Sequence, residues 1–354
     1  MFDAKHKSSY HAGMNKLPVA KRVQILAMLC EGVSMRSISR LVDVSINSVS
    51  KLLEDAGMFC ALYHSEHVQG LKTKRLQVDE IWSFCYAKAR NVPTAKAPPE
   101  GAGDVWTWTA LDADSKLMVT WVVGERDTRA ARQFIADVKV RIPERENDKL
   151  QITSDGLTTY SNAIKAADFD VDYATLVKTY GEAPDAERRY SPPICTGVKK
   201  HAVMGNPDPA HVSTSYVERS NLQMRMGMRR FTRLTNAHSK KFDNHCHALA
   251  IYFMYYNWIR QHASLRVSPA MAAGLTDKLM NWEDVVALPG RSGRAEKAWD
   301  VQKAPNFKLR QCPPVAMRIT LTALPITSAG LRCPLGPRGI TRSFAVWSDF
   351  GECL

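Results

Sequence analysis

Apolar residues recur with a helical period in the first part of the chain and with a strand period in the part that follows. Over residues 16–57 the apolar spacing matches one face of a helix in three successive segments, which predicts three helices. Ser34 and Ser45 are suited to cap the second and third helices, and Gly32 and Gly57 to end the first and third. Two helices joined by a tight turn, after a longer one, are typical of a helix-turn-helix module, which binds DNA.

From residue 77 onward the pattern predicts strands and helices in an α/β order. QVDEIWSFC alternates in the manner of a strand over residues 77–85, and VWTWTALDADSKLMVTWVV predicts a hairpin around the turn Asp112–Ser115. A short strand, LQITS, ends just before Asp155. Helices are predicted over Ala130–Val140, Ser213–Arg230 and Asn244–Gln261. This order favours a mixed sheet with flanking helices over a doubly wound parallel sheet.

These patterns divide the chain into segments of different character. We predict an all-α helix-turn-helix domain over residues 14–72 and an α/β domain over residues 73–288. Within the second, residues of about 168–210 are acidic and contain prolines, and we expect an irregular insertion there. Residues 1–13 are expected to be a flexible N-terminus, and residues 289–354 a disordered or atypical C-terminal extension.

Charge narrows the classes of partner. The chain of 354 residues has 48 lysines and arginines against 35 acidic residues, a formal net charge of +13, which favours a polyanionic partner. Its longest apolar run, Ala248–Tyr256, is too short to span a bilayer, and the eight cysteines include no CxxC pair. We therefore expect a protein of the cytoplasm that is not bound to a membrane.

Three acidic residues lie where a carboxylate is unusual. Asp79 is in the middle of an apolar strand, Asp155 ends the strand LQITS, and Glu218 lies near the start of a helix. Taken singly, they are a surface strand residue, a turn residue and a solvated helix charge. Together they would form an oxygen-rich site for Mg²⁺ or Mn²⁺. Glu80 is expected on the opposite strand face, outside that site.

Two groups of polar side chains are candidates for contact with DNA. Glu218, Asn221, Arg225 and Arg229 share one helix face, and from Arg219 to Lys241 there are seven basic residues and no acidic one. The candidates in this region are Asn221, Arg225, Arg229, Arg230 and Arg233. In the helix-turn-helix segment, Asn47, Ser48 and Lys51 begin the predicted recognition helix, and Arg36 and Arg40 are suited to phosphates. The histidines His245 and His247 are interpreted as core or DNA-facing, and Asn257 as positioning either DNA or a neighbouring helix.

Several ordered stretches resemble bacterial insertion-sequence transposases of the DDE class, most closely the insertion sequence 1 family. The matching stretches are VDEIWSF, GDVWTWTALDADSK, TSDGLTTYSNAI, AHVSTSYVERSNLQMRMGMRRFTRLTNAHSKK and YYNWIRQHASLRVSPAMAAGL. Together they cover roughly Met14 to Leu288, whereas the residues beyond Gly290 lie outside the resemblance.

The resemblance implies a fold, an activity and a set of site residues. The fold would be α/β, a ribonuclease-H-like catalytic domain with a mixed sheet and flanking helices, preceded by the helix-turn-helix domain. The catalytic, metal-binding triad would be Asp79, Asp155 and Glu218, with two Mg²⁺ or Mn²⁺ ions. The enzyme would bind terminal inverted repeats in double-stranded DNA, nick the element ends by hydrolysis and join the 3′-hydroxyls to target DNA, as a homo-oligomer on DNA in the bacterial nucleoid.

Two alternatives stay open at this point. A helix-turn-helix regulator would use the α/β part only to sense or to dimerise, although such a protein has no reason to bury three acids. A degenerate transposase would bind DNA without transposing it.

Overall fold

The computed structural model describes residues 17–145, 148–181, 195–232 and 236–291. The strands are β1 (Arg75–Cys85), β2 (Gly103–Asp112), β3 (Met118–Gly124), β4 (Leu150–Ser154), β5 (Val171–Tyr180) and β6 (Cys195–Met204). The helices are α1 (Val19–Cys30), α2 (Met35–Val42), α3 (Ile46–His67), α4 (Thr128–Arg141), α5 (Thr158–Ala166), α6 (Ser215–Gly227), α7 (Phe242–Met254), α8 (Pro269–Ala272) and α9 (Trp282–Arg291). The expected flexible segment 1–13 lies outside the described residues, as does the expected C-terminal extension beyond residue 291.

The six strands form one mixed sheet in the order β3-β2-β1-β4-β5-β6. The strands β1, β2 and β3 form an antiparallel meander, β1 pairs in parallel with β4, and β4 pairs in parallel with β5. The antiparallel strand β6 then closes the far edge. A meander followed by parallel strands on its inner edge, with helices on both faces, is the ribonuclease-H-like arrangement. The predicted α/β class with a mixed sheet and flanking helices is confirmed, and the helix-turn-helix domain stays a prediction.

Large side chains fill both faces of the sheet. On one face, the Trp108 ring lies edge-on to Tyr160 of α5, with ring centroids 5.4 Å apart, and close to Phe134 of α4. On the other face, Trp121 packs against Phe253 of α7 at 4.6 Å. Burial of these rings removes much apolar area from water and fixes the sheet between two helical layers.

The N-terminal helices share this core. Ser34 and Ser45 cap α2 and α3 as expected, each accepting a hydrogen bond from the backbone N–H three residues on. The helix α3, however, does not end at Gly57 but runs on to His67, because that glycine lies against α7 and allows a close approach there. None of the described helices, α3 included, is both long and apolar enough to cross a membrane.

The expectation of an irregular insertion over residues 168–210 is wrong for much of that range. It contains β5 and β6, whose pairing extends from Tyr173 with Met204 to Tyr180 with Cys195. The alternation of β5 stops before Val177, and nearly all of β6 is exposed, so neither strand carries a full apolar pattern. Residues 182–194 are outside the described ranges.

Candidate active site

Three carboxylates meet where β1 and β4 lie side by side. Asp79 and Glu80 are consecutive on β1, and Asp155 follows the last residue of β4. Each of the three offers an oxygen, and these oxygens all lie within 4.8 Å of one another. We call these residues the carboxylate cluster. The parallel pairing of β1 with β4 ends at Gln77 and Thr153, so the cluster lies just beyond the paired part of the two strands.

The exclusion of Glu80 from the site was therefore wrong. Alternation does direct Asp79 toward α6, where it accepts from Asn221, and Glu80 toward the opposite face, where it accepts from Arg126. Asp155, however, lies past the end of its strand, where it can be approached from both faces of the sheet. The two faces thus contribute to one site just past the end of β4.

Asp79 is held by two donors and is strongly desolvated. Its Oδ1 accepts from the backbone N–H of Glu80 at 2.9 Å, and its Oδ2 accepts from Asn221 Nδ2 at 2.7 Å. Burial, reinforced by the nearby carboxylates Glu80, Asp155 and Glu218, raises the pKa of Asp79 to about 7. A carboxyl group with this pKa is poised to exchange its proton for a cation near neutral pH.

Glu80 is the most buried acid of the cluster. Its Oε2 accepts from Arg126 Nε at 3.0 Å, and the same guanidinium lies 3.9 Å from Asp155 Oδ2. Desolvation raises the pKa of Glu80, while the Tyr160 hydroxyl and Arg126 act in the opposite direction. Arg126 also covers the ring of Trp106, at 4.9 Å from its centroid. Arg126 therefore lies close to two of the three carboxylates, those of Glu80 and Asp155.

Glu218 is near the cluster but is not a member of it. Both of its carboxylate oxygens lie 2.5 Å from Lys178 Nζ, and Oε1 also accepts from Thr214 Oγ1 at 2.7 Å. Its charge still contributes to the raised pKa of Asp79. Of the expected triad, the structure thus brings Asp79 and Asp155 together and leaves Glu218 beside them, paired with a lysine.

The chemistry of the donor set fits a divalent cation. Burial, and after it the repulsion among these close carboxylates, raises the pKa of Asp79, and a cation of two positive charges would relieve that repulsion. Asn221 adds a further oxygen, since its buried Oδ1 has no hydrogen-bond partner among the described residues while its Nδ2 donates to Asp79. Carboxylate and amide oxygens are the ligands that Mg²⁺ and Mn²⁺ prefer.

The expected DNA contacts divide into exposed and buried residues. Six are exposed and free to meet a partner's phosphates or bases: Arg36, Arg40, Asn47, Lys51, Arg225 and Arg229. Ser48 is half-buried and its hydroxyl lies 2.9 Å from that of the capping residue Ser45. Arg233 lies outside the described residues.

Two of the expected DNA contacts have other roles. Asn221 is buried and holds Asp79. The Arg230 guanidinium points inward, donating to Ser239 Oγ at 2.9 Å and to the Asn244 carbonyl at 3.2 Å. Burial lowers the pKa of Arg230 to about 10. The prediction of a DNA contact is wrong for Asn221, because a helical repeat does not tell which face of the helix is covered. Arg230 is half-buried, and its contact with DNA stays a prediction.

Sequence reasoning missed Arg126 and Lys178. Arg126 follows the end of β3, and Lys178 lies on β5 three positions beyond Thr175, which pairs with the last residue of β4. The available signal was a basic residue just past the end of β3 for Arg126, and a basic residue near the end of β5, the strand beside β4, for Lys178.

Comparison with known proteins gives distant structural matches only. No protein family among those compared matches the chain, and neither does any curated protein. The Mos1 mariner paired-end complex with Mn is 12% identical over 83% of this chain and 81% of its own, with a TM-score of 0.28. The piggyBac transposase synaptic complex with hairpin DNA is 10% identical over 82% and 73%, with a TM-score of 0.34. The Mos1 transposase paired-end complex with the left transposon end is 11% identical, with a TM-score of 0.19. That match covers 46% of this chain and 61% of the Mos1 chain. Similarity at this level does not identify a function.

Proposed function

We propose that this protein is a DNA transposase that uses the carboxylate cluster and Glu218 to hold divalent cations. The observation that carries the proposal is the convergence of Asp79, Glu80 and Asp155 oxygens within 4.8 Å at the junction of β1 and β4. The ordered motifs of the insertion sequence 1 family support it, since their acids fall on Asp79, Asp155 and Glu218. A regulator that only binds DNA would have no use for such a costly group of charges.

The reaction consists of two in-line displacements at phosphorus. In the first, water attacks the phosphodiester at an element end and releases a 3′-hydroxyl. In the second, that hydroxyl attacks a phosphodiester of target DNA and displaces the 3′-oxygen of the target strand, which leaves as a hydroxyl. A bound pair of Mg²⁺ or Mn²⁺ ions would supply activation of the attacking oxygen and neutralise developing charge. Asp79 and Asp155 are the residues suited to hold the ions, with Asn221 orienting Asp79 and Arg126 orienting Glu80.

The test is a nicking assay with the full chain. A supercoiled plasmid carrying the terminal sequences that flank the gene is incubated with the protein and Mg²⁺, and strand breaks are mapped at the ends. Asp79→Asn, Asp155→Asn and Glu218→Gln should each reduce nicking by at least about 10²-fold, and the losses should not add, because the residues act as one unit. Asp170→Asn is the matched control, since Asp170 pairs on the surface with Lys149.

Two results would contradict the proposal. Nicking by Asp79→Asn at the wild-type rate would remove the cluster from the chemistry. Specific DNA binding by the wild-type protein without nicking would favour the regulator or a degenerate transposase instead.

DNA recognition is proposed for the exposed residues of α2 and α3. In the full chain, Lys51→Ala should weaken binding to specific and unrelated duplex alike, while Asn47→Ala should mainly reduce the preference for the terminal sequence. Arg225→Ala, on the exposed side of α6, and Arg229→Ala, in the turn that follows α6, should behave like Lys51→Ala. Arg230→Ala should lower stability rather than DNA affinity alone, since its guanidinium is inside. Sedimentation of the complex would test the proposed homo-oligomer on DNA, and imaging of a tagged chain its location in the nucleoid.

A further inference from the structure

Glu218 has a cationic partner already. The ammonium of Lys178 lies 2.5 Å from both carboxylate oxygens, and Thr214 Oγ1 takes a further position on Oε1. A carboxylate in this arrangement has little capacity left for another cation, because both of its oxygens face the same positive charge.

The position of Lys178 relates this ion pair to the cluster. The strand β5 runs parallel to β4, with Thr175 opposite Ser154, the last residue of β4. Lys178 therefore lies beyond the end of β4, at the same end of the sheet as Asp155. Glu218 lies one helical turn before Asn221, which contacts Asp79. Lys178 and the cluster therefore approach Glu218 from neighbouring strands.

Resting on the proposed function, we propose that Lys178 competes with the divalent cation for Glu218. While the lysine holds the carboxylate, the cation site consists of the cluster alone; when Glu218 joins the site, its bond to Lys178 must break. An ammonium and a divalent ion cannot share one carboxylate at close range without strong repulsion. Lys178 is thus a positioning residue that sets how readily the site takes its last ligand.

The effect of Lys178 on the affinity for the divalent cation can be estimated from the exposure of the ion pair. Glu218 keeps 44% of its side-chain surface exposed and Lys178 keeps 28%, so solvent weakens the pair. Its removal should tighten cation binding by about two- to fivefold, the range that a partly exposed ion pair can account for.

The experiment is a double-mutant cycle on Mn²⁺ affinity, measured by calorimetry on the full chain without DNA. Lys178→Met should tighten Mn²⁺ binding by about two- to fivefold, and Lys178→Arg, which keeps the charge and the pairing, should stay near wild type. In a Glu218→Gln background, Lys178→Met should have no effect. Lys149→Met is the control, since it removes a lysine that pairs with Asp170 at 2.7 Å just before the starts of β4 and β5.

Each remaining outcome has a distinct meaning. An equal gain from Lys178→Met in both backgrounds would indicate general repulsion and overturn the competition, as would an unchanged or weaker affinity in a variant that melts normally. A wild-type chain that binds Mn²⁺ and follows this cycle but never nicks DNA would overturn the proposed function and leave the competition standing.

Discussion

Asp79 is stabilised by two hydrogen bonds and destabilised by its charge. Because its pKa rises to about 7 in the folded chain from an ordinary value near 3.8, folding takes up a proton between these pH values. This group therefore lowers stability as pH rises from about 4 to 7, and its full penalty applies above pH 7.

The substitution Asp79→Asn should remove that pH dependence. In the presence of EDTA, the free energy of unfolding of the variant minus that of wild type should increase by about 2 kcal/mol from pH 5 to pH 8.5, because only the wild type loses stability over this range. The comparison of two pH values cancels the hydrogen bond that the amide loses. Urea titrations at both values measure it, and a constant difference would mean that Asp79 is ionised throughout.

Glu80 illustrates how far residue patterns extend. Strand alternation predicted the sheet face of Glu80, and the family motif predicted Asp79 and Asp155 as site residues. Neither pattern predicts that Asp155, past the end of β4, comes close to Glu80. That approach depends on the register of β1 with β4. The pairing of these two strands joins residues about 75 positions apart in the chain, for example Arg75 with Gln151. Contacts of this kind have no local signature.

Because Glu80 belongs to the carboxylate cluster, we now expect its substitution to affect cation binding. Glu80→Gln should weaken Mn²⁺ binding by about tenfold, because it removes one of three clustered charges and the carboxylate partner of Arg126. Calorimetry provides the measurement. The control is Glu125→Gln, at an exposed position two residues before Asp127, the N-cap of α4. Unchanged affinity in Glu80→Gln would return that residue to a purely structural role.

At the scale of elements, the edge strand β3 is completed by a side chain. The Asn257 amide accepts from the Met118 N–H and donates to the Met118 carbonyl, both at 2.9 Å, as a neighbouring strand would. Asn257 lies in a π-helical segment, Tyr255–Ile259, that continues α7. Of the two roles that the sequence left open, this structure shows the contact with a neighbouring element, although the partner is a strand rather than a helix.

Asn257→Ala should therefore lower the free energy of unfolding by about 2–3 kcal/mol, since two buried backbone groups lose their partner. Asn257→Asp should cost at least as much, because it replaces the donor by a buried charge. Chemical denaturation measures both, with the exposed Asn206→Ala as control. A loss in Asn257→Ala no larger than in the control would show that water replaces the amide.

The elements that the sequence predicted well are those with one strong apolar face. The hairpin of β2 and β3, the helix α4 and the caps of α2 and α3 all follow local rules. The strands β5 and β6 do not, because Lys178 and Lys200 lie on the sheet face of Leu176, where a half-buried strand would have apolar residues.

At the scale of the whole described molecule, α3 and α7 are joined at one glycine. A Cβ placed on Gly57 would lie 2.4 Å from His247 Cβ and 2.8 Å from its carbonyl oxygen, closer than any real contact. The N-terminal helices and the sheet consequently share one hydrophobic core. Their division into domains at residues 72 and 73 stays a prediction about origin and function.

Gly57→Ala should destabilise the chain by about 1–3 kcal/mol, because one helix must move away from the other. Gly124→Ala, whose Cβ would meet Ala130 at an ordinary 3.8 Å, is the control. A single cooperative unfolding transition, lowered in Gly57→Ala, is expected by far-UV circular dichroism. Two transitions, with only the smaller one shifted, would mean that the helices unfold as a separate unit.

The joint at Gly57 also sets an order of events on the ribosome. His247 is synthesised 190 residues after Gly57, which corresponds to roughly 10–40 s at usual rates of elongation. Throughout that interval the face of α3 that will meet α7 has no partner. Nascent chains that stop before α7 thus carry an open apolar helix, and chaperones that hold such surfaces would engage this protein during translation and release it once α7 emerges.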